Sequence, residues 1–370
     1  MKFPMAIPDL GGNEEAYVTD AIRSTWISSQ GSYLDRFERE FADLCGTRHA
    51  IAVSNGTVAL HLALVSLGVG PGDEVIVPSL TYVASVNAVT YVGATPVFVD
   101  VSENSWCIDV EAVAASITER TRAIIPVHLY GQPADMDALR TLCRGRGIHL
   151  VEDAAEAPLA TYRGRPTGGL GDIGTFSFYG NKLLTSGEGG AITLNDDELA
   201  GRARRLRGQG MDPERRYWFP VVGYNYRLTN VAAAILCAQL ERRNQFLAAR
   251  REIYARYTER LSEVVGITLQ QDIVGNERSP WLFCVLTDDD FGLDRDGLMA
   301  ALAEAGVETR PFFPPVHLLP PYRAVGGAGL HLPVTNNLAA RGLNLPTYVG
   351  MSMDSVDLIC DEIVANCRSL

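Results

Sequence analysis

The sequence predicts an α/β protein: a mostly parallel seven-stranded sheet wound with helices on both faces, followed by a smaller C-terminal α+β unit. Three observations carry this. Seven short β-rich runs alternate with helical stretches through the first two thirds of the chain. Those runs are apolar at consecutive positions, the pattern of strands buried on both faces of a parallel sheet. At 370 residues the chain is long for one compact core and suits two.

Taken in order, the predicted strands are His49–Val53, Glu74–Val77, Pro96–Val99, Ala123–Val127, His149–Glu152, Gly174–Phe178 and Ala191–Leu194. Helices are expected between most of them, at Thr57–Leu67, Tyr82–Tyr91, Val110–Ile117 and Met136–Arg146. The pattern changes near Arg202. A polar, glycine-containing stretch, Arg207–Tyr226, leads into one long helical run, Asn230–Leu261, with Leu236, Leu240 and Leu247 at helical spacing. That run is expected to join a large domain, 1–240, rigidly to a small one, 241–370. The small domain is predicted to hold a strand (Trp281–Leu286), a helix (Leu298–Ala305), a proline-rich loop (Pro311–Pro321) and a final helix (Ser355–Cys367).

Composition excludes several classes of function. The net charge of −12 argues against a basic face for nucleic acid or an anionic membrane. No apolar run approaches the roughly 20 residues of a membrane span, and Met1–Leu10 shows no secretory signal. Seven cysteines, an odd number with no C-x-x-C pair, predict reduced thiols of a cytoplasmic protein and no zinc site. Only two of the 32 basic residues are lysines, Lys2 and Lys182. If the chemistry needs an amine nucleophile, nearly every candidate is already eliminated.

Gly169-Leu170-Gly171-Asp172-Ile173-Gly174 matches a dinucleotide fingerprint but leads into a strand-like run instead of opening a helix, which argues against that reading. Asn55-Gly56-Thr57 is a glycosylation sequon without a secretory route. Gly180-Asn181-Lys182 lacks the other residues of a P-loop. Three segments are more informative. Ser54-Asn55-Gly56-Thr57 runs from a strand into an apolar helix; this is either a phosphate-binding helix N-terminus, with Thr57 at the cap or in the first turn, or an ordinary capped helix. Asp153 stands at the C-terminal end of a parallel strand, where α/β folds place ligands, and such a carboxylate can bind a protonated ring nitrogen or simply face solvent. Lys182 follows a buried strand and precedes a Gly-rich turn. A desolvated lysine amine, unlike a guanidinium, can lose its proton, attack a carbonyl and shuttle protons; the alternative is a surface lysine.

Together Asn55-Gly56-Thr57, Glu152-Asp153-Ala154-Ala155-Glu156, Ser177–Lys182, Gly187-Glu188-Gly189-Gly190 and Tyr224–Asn230 resemble the sugar aminotransferases of the DegT/DnrJ/EryC1/StrS family, from about Ile7 to the last helix. The resemblance implies the aspartate aminotransferase fold (fold type I) and pyridoxal phosphate (PLP) as cofactor, with no metal. It implies that Gly56, Thr57 and Ser177 hold the PLP phosphate and that Tyr82 stacks on the ring. Asp153 would keep the ring nitrogen protonated. Glu156, at i+3, would face the phenolic oxygen and share a proton with it, where many relatives have Gln. Lys182 would carry the cofactor covalently and move protons. Asn225 would reach the cofactor of a neighbouring subunit, making a homodimer with shared active sites. Trp26, Ser28, Arg227, Arg310 and His317 are candidate substrate contacts. The implied substrates are L-glutamate and a nucleotide-linked keto-sugar.

Within the family, Pro126–Gln132, Gly208–Pro213 and Arg216–Gly223 resemble members that aminate C4 of GDP-4-keto-6-deoxy-D-mannose. Leu183 and Pro314 depart from that pattern; a histidine is expected at position 314. The alternatives are a 3-aminotransferase on a GDP-3-keto-6-deoxy sugar, or an aminotransferase for another nucleotide-linked 4-keto-6-deoxyhexose. A sister group of dehydratases carries His in place of the lysine, and Lys182 argues against it. A non-catalytic PLP-binding regulator would need an added helix-turn-helix domain, which the sequence before Asn55 has little room for.

Overall fold

The computed structural model describes residues 2–324 and 329–367. Met1 and residues 368–370, the outer ends of the two expected domains, lie outside the described residues. The chain enters through α1 (Glu14–Arg23) and α2 (Ser32–Cys45). It then alternates β1 (His49–Val53), α3 (Gly56–Ser66), β2 (Glu74–Pro78), α4 (Ala84–Tyr91), β3 (Thr95–Val99), α5 (Val110–Ser116), β4 (Thr121–Ile124), α6 (Met136–Cys143) and β5 (His149–Asp153). Strands β6 (Ile173–Ser177) and β7 (Gly190–Leu194) and helix α7 (Asp197–Arg207) complete the unit. The sheet order is β1-β7-β6-β5-β4-β2-β3. Only β7 runs antiparallel to its neighbours, β1 and β6. All seven expected strands are present. β4 ends earlier than expected, two residues before Pro126, which has no N–H to continue the ladder.

Each face of the sheet is covered. Ala59, Leu62 and Ala63 of α3 pack with Ile51, Val75, Val77 and Ile173. On the other side Phe37 and Phe41 of α2 meet Phe176 and Phe178, with Phe41 edge-on to Phe176 at 4.8 Å. Such an aromatic pair contributes about 0.5–1.5 kcal/mol beyond its area burial. Helices α1, α2 and α7 are not among the elements expected from sequence. In α2 the buried Tyr33, Leu34, Phe37, Phe41 and Cys45 do keep helical spacing. Helix α7 is arginine-rich and buries only Ala200 and Ala203, so hydrophobic periodicity gives it little signal; its Asp196 cap, accepting from Leu199 N at 2.8 Å, is the legible feature.

The expected single long helix is two, α8 (Asn230–Glu241) and α9 (Arg243–Leu261). They break at Arg242, whose guanidinium is gripped by both carboxylate oxygens of Asp9 at 2.7 and 3.0 Å. Beyond it lies a four-stranded antiparallel sheet, β8 (Ile267–Leu269), β9 (Phe283–Thr287), β10 (Arg310–Pro311) and β11 (Gly342–Leu345), in the order β8-β9-β11-β10. It packs on α9, α10 (Arg295–Glu304) and α12 (Met353–Ala365) through Tyr257, Leu298, Leu302 and Ile359; α11 (Pro333–Arg341) lies between the last two helices in sequence. Trp281, Leu282 and Phe312 of this second unit join Trp106, Val127 and Tyr130 of the first in one apolar cluster. That cluster borders the site described next.

Candidate active site

Strand β1 ends beside the start of α3. Asn55 is the N-cap, its Oδ1 accepting from Val58 N at 3.0 Å, so Thr57 is the second helical residue and not the cap. A Cβ on Gly56 would lie 2.7 Å from the Cβ of Ser177, so only glycine lets the helix start rest on the end of β6. Gly56, Thr57 and Ser177 therefore come together at the positive end of a helix dipole. The first N–H groups there have no intrahelical acceptor, which suits a phosphate.

Asp153 closes β5. Its Oδ2 accepts from Ser85 Oγ at 2.7 Å and its Oδ1 from Ala155 N at 3.2 Å. Glu156 lies one turn on, buried, with Oε2 accepting from Tyr130 N at 2.7 Å. Burial lowers the ammonium pKa of Lys182 below the usual lysine value, and the nearby carboxylates of Glu156 and Asp153 oppose that. The three expected polar residues thus share one site. Neighbouring Glu152 has a structural task instead. It accepts from the amides of Gly168 (2.8 Å), Leu170 and Gly171 (both 2.6 Å) and lies 3.1 Å from His128 Nε2. Since His128 Nδ1 accepts from Ala134 N at 3.1 Å, the ring proton sits on Nε2. The glycine run that imitates a dinucleotide fingerprint is the cradle of this carboxylate.

Burial pushes the pKa of Glu156 up to about 7; Lys182 and the Tyr130 N–H pull it down, and Asp153 pushes it up. A carboxyl whose folded pKa is raised binds more protons folded than unfolded. Its contribution to stability is therefore complete below the unfolded value of 4.5 and is lost as pH rises toward 7. Glu156→Gln, which still presents an oxygen to Tyr130 N–H, should flatten this part of the stability profile. Thermal melts of the cofactor-free protein between pH 5 and 8 check this: an unchanged slope in the variant would contradict it.

The remaining expected residues are spread over several places. Tyr82 is 58% exposed, with its ring 5.7 Å from that of Phe313, so it offers an open face. Trp26 and Arg227 line a groove of about 920 Å³ with Glu38, Arg204 and Arg207. Ser28 lies nearby in the chain, its carbonyl accepting from Asn230 N at 2.5 Å. Asn225 is exposed, its Oδ1 accepting from Arg227 Nε at 3.2 Å and Nη2 at 2.9 Å. Arg310 is exposed and 3.4 Å from Glu308. His317 departs from the picture of a loop residue facing a ligand: it is fully buried, with Nδ1 2.7 Å from Ser79 Oγ and its backbone N–H donating to the same oxygen at 3.1 Å. The proline-rich loop folds inward there, so the histidine anchors it.

A family model, the DegT/DnrJ/EryC1/StrS aminotransferase family, matches residues 8–364. The chain belongs to this aminotransferase family. It is 49% identical to a GDP-perosamine synthase of Caulobacter vibrioides, over 97% of this chain and 96% of that one. It is 45% identical to a GDP-perosamine synthase of Vibrio cholerae, over 97% and 98%. Among solved structures, S. venezuelae DesV superposes with a TM-score of 0.92 at 39% identity, covering 98% of each chain. The fold is thus that of the PLP-dependent aminotransferases, and the cofactor of the family is PLP. The residues present fit that group. The helix start at Gly56, free of any Cβ, suits its phosphate, Asp153 its ring nitrogen, and the desolvated amine of Lys182 its aldehyde.

Two residues of this aminotransferase site have no sequence signal of their own. Ser85 looks like an ordinary residue of an apolar helix, yet it is buried and fixes Asp153, with Thr81 Oγ1 2.9 Å behind it. Trp281 reads as the first residue of a core strand, yet its ring centroid lies 3.7 Å from Lys182 Nζ.

Proposed function

We propose that this aminotransferase moves an amino group from L-glutamate to GDP-4-keto-6-deoxy-D-mannose, releasing 2-oxoglutarate and GDP-perosamine. The observation that carries the reading is 49% identity to a GDP-perosamine synthase across nearly the whole of both chains. When bound, PLP supplies an electron sink and carries the amino group between the two half-reactions. The chain's own residues do the rest. Gly56, Thr57 and Ser177 hold the phosphate, and Tyr82 covers the ring. Asp153, fixed by Ser85, holds a proton on the ring nitrogen. Glu156, with one oxygen occupied by Tyr130, shares a proton with the phenolic oxygen. Lys182 attaches the cofactor and, once free, takes and returns the proton at the carbon that gains or loses nitrogen.

For the diphosphate we assign Arg310, itself exposed, whose contact with the half-buried Glu308 is a long one of 3.4 Å. His317 serves by anchoring the loop. Asn225, Arg227, Trp26 and Ser28 are read as contributions to a partner's site. An apolar run, with Tyr217 72% and Val222 91% exposed and Trp218 and Phe219 between them, supports a covering second copy. We read the working unit as a homodimer and its compartment as the cytoplasm, and the break at Arg242 as the boundary between domains 1–240 and 241–370. Mixing inactive Lys182→Ala chains with inactive Asn225→Ala chains should restore part of the activity, because one site of the heterodimer is then unaltered. A verified heterodimer without activity would contradict the shared site.

The substrate is tested by product NMR after incubation with the GDP-keto-sugar and L-glutamate. An amine-bearing C4 is expected. An amine at C3, or turnover only with dTDP- or UDP-linked sugars, would overturn the substrate and leave the aminotransferase family untouched.

A further inference from the structure

Trp281 touches Lys182 from two directions. Its indole Nε1–H donates to the carbonyl of Asn181, the residue just before the lysine, at 2.9 Å. Its ring face lies under the lysine Nζ, 3.7 Å from the centroid. The tryptophan is itself 5% exposed and held on both sides. Its carbonyl accepts from Arg250 Nη1 at 2.6 Å, and the same buried guanidinium also bonds the carbonyl of Thr347. The indole stacks on Tyr130 with 6.2 Å between centroids and 22° between planes. Tyr130 adopts φ 54°, a left-handed conformation uncommon for a bulky residue, while its N–H donates to Glu156. Next to it a Cβ on Gly131 would overlap the carbonyl oxygen of Ser279, so only glycine lets the segment before Trp281 press this close.

We propose that Trp281 is a positioning residue for Lys182: it pins the peptide preceding the lysine and offers its ring face as the seat of the free ammonium. The inference rests on Lys182 being the reacting amine. Each turnover frees that amine, and a long flexible side chain between two carboxylates could then settle into an ion pair with Glu156 or Asp153. The ring attracts the cation without giving it a hydrogen-bond acceptor, so the proton stays transferable and the amine stays aimed. A ring face stabilises the charged form only, so it opposes the desolvation that lowers the lysine pKa.

The composition of the chain makes this measurable without cofactor or turnover. Lys182 and Lys2 are the only lysines, so trace acetylation with acetic anhydride, read by mass spectrometry across pH 6–11, titrates Lys182 with Lys2 as internal reference. In the cofactor-free protein, tetrafluorotryptophan at position 281 keeps the shape and the N–H but drains the negative face. It should lower the Lys182 midpoint by about 0.5–1.5 pH units, and Trp281→Leu should lower it at least as far. A structural role alone predicts the opposite sign for the leucine variant, since admitting water raises the midpoint toward that of an exposed lysine. An unchanged midpoint with the fluorinated residue, or an upward shift, would overturn the proposal; the fluorinated variant keeps the test valid if Trp281→Leu does not fold. Borohydride trapping of PLP on wild-type protein separates the two levels. Trapping on Lys182 with no midpoint shift removes the tryptophan seat alone, whereas trapping elsewhere removes the lysine assignment on which it rests.

Discussion

Lys182→Ala is expected to lose transamination by roughly 10⁴-fold or more, since it removes both the amine that attaches the cofactor and the acid/base that moves the proton. Lys182→Arg should be as damaging, because a guanidinium neither deprotonates nor attacks a carbonyl at neutral pH. The half-reaction with L-glutamate alone, followed by the cofactor's absorbance, isolates this step. Lys182→Ala should also raise the protonation midpoint of Glu156, because the lysine charge is the largest influence pulling it down. A variant turning over within tenfold of the wild type would show that another group supplies the amine.

Asp153→Asn is expected to keep the fold and to slow both half-reactions by about 10²–10³-fold. The asparagine oxygen can still accept from Ala155 N, and its amide can donate to Ser85 Oγ, which also accepts. What is lost is the charge that keeps a ring nitrogen protonated. Circular dichroism melts alongside steady-state kinetics separate the two effects. Near-wild-type rates would remove the electron-sink role from this residue, and a large loss of melting temperature would recast it as structural.

What was legible in the sequence follows from what each feature depends on. The seven central strands are buried on both faces, so their apolar runs declare them whatever their partners. Lys182 stands out because this chain writes almost every other cation as arginine, and Asp153 because a strand end is a local property, whereas Glu156 is reached only through the family resemblance. The break between α8 and α9 was not legible. Leu236, Leu240 and Leu247 continue across it at helical spacing, and the residue at the break, Arg242, is held by Asp9, more than 230 residues away in the chain. The burial of His317 is not legible for a similar reason, since only the fold brings Ser79 to it and turns the loop inward. Trp281 and Ser85 act through residues distant in sequence, and each looks like core from its neighbours alone. The glycine run at 169–174 leads into a strand, and its purpose is visible only with Glu152 placed inside it.

Borohydride reduction of the PLP-loaded enzyme, followed by peptide mapping, most directly tests the claim that a single amine carries the chemistry. One phosphopyridoxyl group per chain is expected, on Lys182, in a tryptic peptide that begins after Arg163, since the Arg165–Pro166 bond resists trypsin, and runs past Ser186. Reduction that leaves the label on Lys2, on the N-terminal amine or nowhere would contradict it.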